Sequence, residues 1–410
     1  MGEKKVKVQE VRRLRALAIA LVMILLAIGC APGPREEKRV LEIANLSPLT
    51  GGTAAAEQPC LQGMLDYVRY FNEEKGIPGA TVTLVWMDMG RETSRFISGY
   101  RRLLERGIPL IFSNDTISLE ALKPEFEKDQ IPFVTGATFG TLVYPPGWIY
   151  AVWATQGEAA TAVLDYFREN WAEERAPRLQ FLVVDGLWGR AAANEAANYA
   201  ERIGFEVLPL EVCPYVVIDA TPQLLRIRER EADLVYIQHI IPGAGPIMRD
   251  AERLELQKAM QFSGTEWLLG KALMEMAPVG VEGFLAPRGL PWFDEIQIPG
   301  LKAMMDTQLK YHGKTVWEVS EYMGGWVYGA VMCEAVRRAA EEVGYENLDG
   351  VAIKEALDDM NEFDVDGMVK VSFGPEDRRG TQRYAVYQVK DGKVIRLTDW
   401  KEVPILVPWE

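Results

Sequence analysis

The stretch PLIFSNDTISLEALKPEFEKDQIPFVTGAT, residues 109–138, decides the fold. It predicts a strand at Pro109–Phe112, a helix at Ser118–Lys128 and a second strand at Pro132–Thr135. Each strand is a short apolar run that ends in small polar residues. This order of elements is typical of a parallel sheet with helices on both faces, so the chain is expected to be α/β.

The same alternation continues on both sides of this unit. Upstream, the pattern predicts strands at Arg39–Leu46 and Thr81–Met87, each followed by a helix. The rhythm starts again near Trp148–Trp153, with strands at Leu179–Asp185 and Phe205–Val212 among further helices. Two similar α/β lobes in series fit this chain better than one very wide sheet.

The composition is that of an ordinary globular protein. Of the 410 residues, 48% are hydrophobic and 25% are charged, which excludes a disordered or polytopic membrane protein. The net charge of −14 repels phosphate backbones and disfavours nucleic acid as a partner. With four cysteines, no C-x-x-C spacing and two histidines, we expect no metal site, no cofactor and no disulfide scaffold.

Residues 1–29 have the pattern of a targeting segment. A start with six Lys and Arg residues precedes an apolar run, Ala16 to Ile28, that is too short to span a bilayer. The segment ending at Cys30 resembles a bacterial lipoprotein box, which predicts acylation of Cys30 and a flexible tether over residues 30–38. An ordinary signal peptide or an uncleaved anchor is the alternative. Removal of the segment leaves a net charge of −18 on a protein expected at an extracytoplasmic membrane surface, held there by lipid.

Signatures of catalysis are missing from the sequence. It contains no G-x-S-x-G elbow, no P-loop, no H-E-x-x-H and no dinucleotide-binding glycine fingerprint. We therefore expect a protein that is not an enzyme. His239 follows a predicted strand, where a structural histidine and a ligand contact are both open interpretations.

Several short motifs, each weak alone, resemble one family when their order and spacing are taken together. They are Ser47–Gly51, Phe71–Glu73, Val134–Thr138, Phe181–Asp185 followed by Trp188-Gly189, Phe262–Glu266 and Tyr322–Tyr328. The resemblance covers residues 39–400. The chain resembles the solute-binding proteins of ABC importers for branched-chain amino acids, urea and short amides. The resemblance implies the type I periplasmic-binding-protein fold, in which two doubly wound parallel-sheet lobes are joined by three crossovers and close on ligand like a clam shell.

The resemblance also places the boundaries of the lobes. Lobe 1 is expected to comprise residues 39–151 plus 287–365, and lobe 2 residues 152–286 plus 366–410. The three crossovers are expected near Tyr150–Ala154, Gly283–Gly289 and Phe363–Val369.

Polar residues follow the two strands of the opening stretch, at the sheet edge where open parallel sheets bind ligands. Ser113 and Asn114 follow the first strand, and Thr138 follows the second. Hydroxyl groups and free N–H groups at helix starts can bind a carboxylate without an arginine. The resemblance implies that four residues hold the α-carboxylate of the ligand: Ser113, Gly136, Ala137 and Thr138. Helix capping is the alternative for the two hydroxyl residues.

The opposite lobe is expected to bind the ammonium group of an amino acid. Glu266 follows a predicted strand, and the resemblance implies that it pairs with an α-ammonium. Taken alone, it is a carboxylate favoured at the start of a helix. The resemblance also implies a lining tyrosine at Tyr236, although Gln238 or His239 could take that role.

Two departures from the family pattern bear on the ligand. The loop after Gly52 carries three alanines, Ala54 to Ala56, where the family often has an aromatic or polar contact. Four aromatic residues are expected near the rim of the cleft: Trp148, Tyr150, Trp153 and Trp188. Of these, Trp153 and Trp188 are candidate ligand contacts that would admit a larger or aromatic acid, and packing is the alternative.

The sequence thus predicts a lipid-anchored receptor that captures a small amino acid or a related carboxylate or amide and delivers it to ABC permease subunits. A ligand-sensing regulator of the same fold and a receptor for an aromatic acid are the alternatives. A secreted hydrolase with Ser113 or Cys213 as nucleophile is a third, but neither residue has a base nearby in sequence. Cys60, Cys213 and Cys333 allow at most one internal disulfide, and the pairing is open.

Overall fold

The computed structural model of the protein describes residues 38–136, 138–315 and 318–406. The predicted signal segment 1–29, the predicted acylation site Cys30 and nearly all of the predicted tether lie outside these residues. The predicted ligand contact Ala137 also lies outside them. Within the described residues, no helix is long and apolar enough to cross a membrane.

The first half of lobe 1 alternates strands and helices. Its strands are β1 (Arg39–Ser47), β2 (Ala80–Asp88), β3 (Ile111–Phe112), β4 (Phe133–Thr135) and β5 (Ile149–Trp153). Its helices are α1 (Ala54–Tyr70), α2 (Thr93–Glu105), α3 (Thr116–Ala121), α4 (Lys123–Asp129) and α5 (Gly140–Val143). The single helix predicted at Ser118–Lys128 is instead two, because Pro124 in the first turn of α4 has no N–H with which to continue α3.

Lobe 2 repeats this alternation. Its strands are β6 (Arg178–Val184), β7 (Glu206–Val207), β8 (Glu211–Cys213), β9 (Leu234–Gln238), β10 (Gln261–Gly264) and β11 (Leu285–Arg288). Its helices are α6 (Gln156–Glu169), α7 (Leu187–Arg202), α8 (Thr221–Glu229), α9 (Ile241–Arg253) and α10 (Lys271–Met276). The single strand predicted at Phe205–Val212 is divided into β7 and β8, and Pro209 stands in the gap between them.

The chain then returns to lobe 1 before it ends in lobe 2. The helices of the return are α11 (Pro299–His312), α12 (Ser320–Val343) and α13 (Gly350–Asp358). The strands are β12 (Phe363–Asp364), β13 (Lys370–Val371), β14 (Arg379–Thr381), β15 (Arg383–Lys390), β16 (Lys393–Arg396) and β17 (Lys401–Glu402).

Two separate sheets form the two lobes. The lobe 1 sheet has the order β14-β5-β4-β3-β1-β2, and the lobe 2 sheet has the order β16-β15-β11-β10-β9-β6-β7, with β8 beside β6. Alternate residues of β1 enter different hydrophobic cores, Leu41 and Ile43 on one face and Ala44 and Leu46 on the other. The predicted fold class, two doubly wound parallel-sheet lobes, is confirmed.

The crossovers lie at strand ends, and the third differs from its predicted position. The chain leaves lobe 1 after Trp153 and returns after Arg288, so the boundaries predicted at 151 and 287 fall inside β5 and β11. The third crossover is at Gln382, between β14 and β15. Its predicted position at Phe363–Val369 is wrong, because β14 pairs with β5 in the first sheet and the residues before it are buried in the lobe 1 core.

Two long helices of lobe 1 pack with their backbones in contact. A side chain on Gly63 of α1 would approach the Tyr322 carbonyl oxygen to 2.1 Å, and one on Gly325 of α12 would approach the Cys60 carbonyl oxygen to 2.0 Å. Only glycine permits this approach of α1 to α12. The contact brings the first turns of both helices to the same edge of the sheet.

Candidate ligand-binding cleft

A cavity of about 190 Å³ lies between the two lobes. Its walls are loops that follow the carboxyl ends of parallel strands in both sheets, together with the starts of α1 and α12. Lobe 1 contributes, among others, Glu57, Arg91, Asn114, Gly136, Glu321 and Tyr328. Lobe 2 contributes, among others, Trp188, Tyr215, Ile240 and Trp267. Carboxyl ends of parallel strands are the usual position for a ligand in an open α/β sheet.

The lobe 1 wall carries three carboxylates. Glu57 and Glu321 stand in the first turns of α1 and α12, where the positive end of the helix dipole favours an acidic side chain. Burial raises the pKa of Glu57 to about 8 and that of Glu321 to about 7. Asp115, which is also buried, accepts a hydrogen bond of 2.6 Å from the Ser118 hydroxyl.

The side chain of Glu57 is nearly enclosed. It is 7% exposed, and the Asn114 amide donates to its Oε2 over 3.3 Å. Among the described residues, Oε1 of Glu57 has no hydrogen-bond partner and neither oxygen forms an ion pair. The carboxylate thus meets the cavity with capacity to accept further hydrogen bonds.

The lobe 2 wall is aromatic. Trp188 packs against a lobe 1 core that includes Phe139, and Trp267 packs against the lobe 1 core that includes Tyr328, so both indoles bridge the lobes. The Arg91 guanidinium lies 4.6 Å from the centroid of the Tyr215 ring, which is a cation–π contact across the cleft.

Asp88 holds the loops that present Arg91. Its carboxylate accepts hydrogen bonds from the N–H groups of Leu49 and Gly90 over 2.8 and 3.0 Å, and from the Thr50 hydroxyl over 2.6 Å. These bonds tie the loop after β1 to the loop after β2. The turn that follows is left-handed at both Gly90 and Arg91, with φ of +55° and +60°.

Three predicted ligand contacts line the cavity: Asn114, Gly136 and Trp188. The Asn114 amide donates to Glu57, and its oxygen accepts from the Gly136 N–H over 3.0 Å, so this side chain orients two walls of the cavity. Gly136 is required because any side chain there would overlap the Tyr328 hydroxyl, 1.8 Å from the position of a Cβ.

Ser113 and Thr138 are fully buried and do not line the cavity. The Ser113 hydroxyl accepts a 3.1 Å hydrogen bond from the Asp115 N–H, and the Thr138 hydroxyl donates over 3.3 Å to the Phe139 carbonyl. Both hydroxyls therefore satisfy local backbone groups, as expected if they shape the loop. Their contact with a ligand carboxylate remains a prediction.

Four other predicted contacts lie behind the cavity, beside the crossovers. We call this group, with two neighbours, the hinge cluster: Trp153, Gln156, Tyr236, Gln238, Glu266 and Tyr384. The Trp153 indole donates to the Tyr328 hydroxyl over 2.7 Å, and the Gln238 amide lies 3.5 Å from the Gln156 oxygen. Tyr328 thus separates the hinge cluster from the cavity.

Glu266 of the hinge cluster accepts a 3.3 Å hydrogen bond from the Gly289 N–H, directly after the second crossover. Burial raises the pKa of Glu266 to about 7, and the charge of Arg288 opposes that rise. Its other oxygen, like the hydroxyls of Tyr236 and Tyr384, has no partner among the described residues. Pairing of Glu266 with an ammonium group remains a prediction.

His239 is buried next to the cavity but does not line it. Its ring nitrogens lie 3.2 Å from the carbonyl oxygens of Ile240 and Pro214. Burial lowers the pKa of His239, so the ring is neutral at neutral pH. These contacts give the histidine a structural role in the loop after β9.

The sequence-based prediction missed Glu57, Arg91, Tyr215 and Glu321. Arg91 and Tyr215 follow strand ends, which is the signal that pointed to Asn114. Glu57 stands just after the alanines noted as a departure from the family pattern, and Glu321 directly precedes the Tyr322–Tyr328 motif. All four could have been proposed from these positions.

The three described cysteines, Cys60, Cys213 and Cys333, are buried and form no disulfide with one another. Cys60 lines the cavity, and burial raises the pKa of its thiol well above the usual range. Burial also raises the pKa of Cys213 to about 11. Neither thiol is prepared to act as a thiolate nucleophile at neutral pH.

Comparison with known proteins agrees with this architecture. A family model described as "Periplasmic binding protein" matches residues 40–393. The fold is similar to that of a branched-chain amino acid ABC transporter protein from Thermus thermophilus with bound valine, at 23% identity and a TM-score of 0.81, covering 89% of this chain and 97% of that one. Comparison with curated protein sequences finds no match.

Two further solved structures of ABC transporter proteins, described with other compounds, show the same fold. A fatty acid ABC transporter substrate-binding protein from Thermomonospora curvata has 17% identity and a TM-score of 0.77, covering 89% of this chain and 92% of that one. A solute-binding protein from Rhodopseudomonas palustris BisB5, in complex with 3,4-dihydroxybenzoic acid, has 16% identity and a TM-score of 0.73, covering 89% and 98%. Because the family model matches most of the length of this chain, the chain belongs to the periplasmic binding protein family.

Proposed function

We propose that this protein is the extracytoplasmic receptor of an ABC importer. It captures a small amino acid or a related carboxylate or amide between its lobes and delivers it to permease subunits. One observation carries the proposal: the cavity has walls from both lobes, so a ligand held there is enclosed only when the lobes are closed. The similar structures, which are proteins of ABC transporters described with different compounds, support the class of function.

The contacts between the lobes are suited to a receptor that closes on its ligand. The Arg91–Tyr215 contact joins the lobes across the cleft, and a 2.7 Å hydrogen bond from the Gly140 N–H to Glu195 joins them outside the cavity. A ligand that contacts both walls adds to these bonds and shifts the population toward the closed form. Closed and open forms then differ in the surface that they present to a permease.

The hydrolase alternative loses support from the same geometry. Ser113 does not line the cavity, and Cys213 is a buried thiol with a raised pKa. Among the described residues, neither side chain is hydrogen-bonded to a histidine or carboxylate that could act as a base. We infer that the cleft binds its ligand without transforming it.

A screen tests the receptor function. The chain from residue 31 is titrated with amino acids, amides and aromatic acids, and its melting temperature and radius of gyration are measured. A ligand at 100 times its Kd stabilises the folded state by about 2.7 kcal/mol and should raise the melting temperature by a few degrees. It should also reduce the radius of gyration. A chain that responds to no compound in either measurement contradicts the receptor function.

Anchoring is a separate part of the proposal. The residues around Cys30 suggest that the mature protein begins with a diacylglycerol-modified cysteine at the membrane surface. Labelled palmitate should enter the wild-type protein in a bacterial host and should not enter Cys30→Ser. Equal incorporation in both would leave the receptor function intact and remove the lipid anchor from it.

A further inference from the structure

The walls of the cavity carry more acidic than basic side chains. Among the described residues, four acidic side chains line the cavity, those of Glu57, Asp115, Asp185 and Glu321, and one basic side chain, that of Arg91. Asp185 is exposed and paired with Arg190 over 3.0 Å. Among the described residues, the other three carboxylates form no ion pair. Arg91 already lies on the Tyr215 ring.

The Glu57 carboxylate is nearly enclosed and has little to compensate its charge. Enclosing an ionised carboxylate in protein costs several kcal/mol unless a cation or several hydrogen bonds compensate it. The only hydrogen bond to Glu57 is the long one from Asn114, and its Oε1 has no partner in the described part of the chain. Glu321 faces the same part of the cavity, because α12 packs on α1, and its charge acts on Glu57.

The remaining walls suit a flat or apolar body with a positive charge. Tyr215, Trp188, Trp267 and Tyr328 present aromatic rings to the cavity. Aromatic faces attract cations as well as apolar groups, and a desolvated site strengthens this attraction. An anion would meet three acidic side chains in the same space, and among the described residues Arg91 is the one basic group there to receive it.

We propose that the ligand carries a cationic nitrogen group, an ammonium or an amidinium, held between Glu57 and Glu321 with its body against the aromatic wall. This inference rests on the proposed receptor function and names the ligand class of the same cleft. It places the positive charge on lobe 1, and not at Glu266 in the hinge cluster.

The proposal has a consequence for protons. The groups that face Glu57 are Cys60 on its own helix, Asn114 and Asp115 after β3, Arg91 after β2 and Glu321 on α12. Because burial raises the pKa of Glu57 to about 8, most of the free protein holds a proton there at neutral pH. A bound cation favours the ionised carboxylate, so binding releases protons and becomes tighter as the pH rises from about 6 to 8.

The test uses three probes of one shape and three charges: benzamidine, benzamide and benzoate. Titration calorimetry on the wild-type chain should show benzamidine binding at least tenfold more tightly than benzamide, and benzoate more weakly still. Agmatine serves as an aliphatic cation. Absence of saturable binding by both cations up to about 10 mM, or benzoate binding as tightly as benzamidine, overturns the proposal.

Substitutions locate the charge. Glu57→Gln and Glu321→Gln keep side-chain size and should each weaken benzamidine binding by about tenfold to a hundredfold, with little change for benzamide. Glu125→Gln, an exposed glutamate of α4, is the matched control. If Glu266→Gln weakens benzamidine while Glu57→Gln does not, the cation lies in the hinge cluster and the proposal is wrong.

The outcomes separate this inference from the receptor function. If benzoate or another acid without an amino group binds and reduces the radius of gyration while the cations do not bind, the receptor function stands and the cationic ligand is wrong. If no probe or screened compound brings the lobes together, the receptor function itself fails. Circular dichroism of each variant establishes that it is folded before its binding is compared.

Discussion

Glu57 and Glu266 are two buried glutamates with the same side chain and different surroundings. Glu57 lines the cavity from lobe 1, and its one partner is the neutral amide of Asn114. Glu266 lies behind Tyr328 in the hinge cluster, and its partner is the N–H of Gly289 beside the buried Arg288. Burial raises the pKa of both, to about 8 and about 7.

The difference follows from where a positive charge is fixed. The positive charge of Arg288 always lies near Glu266, because Arg288 stands at the second crossover, and it lowers the free-energy cost of ionising Glu266. The charge of Arg91 lowers the pKa of Glu57 only slightly, because that guanidinium is exposed and lies on the Tyr215 ring. A carboxylate that has a fixed positive charge of the protein beside it is suited to stabilise a hinge. A carboxylate without such a charge is suited to bind a positively charged group of a ligand.

The largest expected effect comes from a substitution that disrupts the packing of α12 on α1 beside Glu57 and leaves the surroundings of Glu266 in place. Gly325→Ala places a methyl group about 2.0 Å from the Cys60 carbonyl oxygen and must separate α12 from α1. We expect the free energy of unfolding in urea to fall by about 3 kcal/mol, with loss of ligand binding as Glu321 moves from Glu57. Gly374→Ala, which meets no atom within 4 Å, is the control and should change stability by less than about 0.5 kcal/mol. Equal stability of the two variants would contradict the close helix contact.

A second effect separates the two glutamates by pH. The folded protein holds the proton of Glu57 more tightly than the unfolded chain does, so the free energy of unfolding should fall as the pH rises from about 5 to 8. Glu57→Gln cannot ionise at this position, so its free energy of unfolding should rise relative to that of the wild type by on the order of 3 kcal/mol over that range. Urea denaturation at several pH values measures the gain. A constant difference between the two proteins would show that Glu57 ionises freely.

Glu266→Gln should give the smaller gain of the pair. Its pKa is raised only to about 7, so the window runs from about pH 5 to 7 and the expected gain in the free energy of unfolding is about 2 kcal/mol. The same denaturation series measures it. A gain that equals or exceeds that of Glu57→Gln would reverse the ranking of the two sites.

The smallest effect concerns the contact across the cleft. Arg91→Ala removes a cation–π contact worth about 0.5–1 kcal/mol and should shift the ligand-free protein toward the open form. Small-angle scattering should show a larger radius of gyration, and Tyr215→Ala should reproduce it. Arg95→Ala, an exposed arginine of α2, should leave the radius unchanged. An unchanged radius in both cleft variants would mean that other contacts hold the lobes.

The fold could be predicted from the sequence, because the spacing of apolar residues along the chain indicates which segments are strands and which are helices. The position of the third crossover was not, since β14 has three residues and is defined only by its pairing with β5. Asn114, Gly136 and Trp188 follow strand ends, so topology alone brings them to the cavity. Glu57 and Glu321 resemble solvated helix starts in sequence, and only the close packing of α1 on α12 buries them.

The order of strands also determines how far each wall of the cleft travels. All three crossovers lie near β5 and β14 in one sheet and near β11 and β15 in the other, so a rotation of the lobes would have its axis beside these strands. Glu266 follows β10, one strand spacing from β11, whereas Tyr215 follows β8, four spacings away. At about 4.8 Å per spacing, the far aromatic wall moves roughly four times as far as the hinge cluster. A permease that contacts the far rim would therefore sense a small rotation as a large displacement.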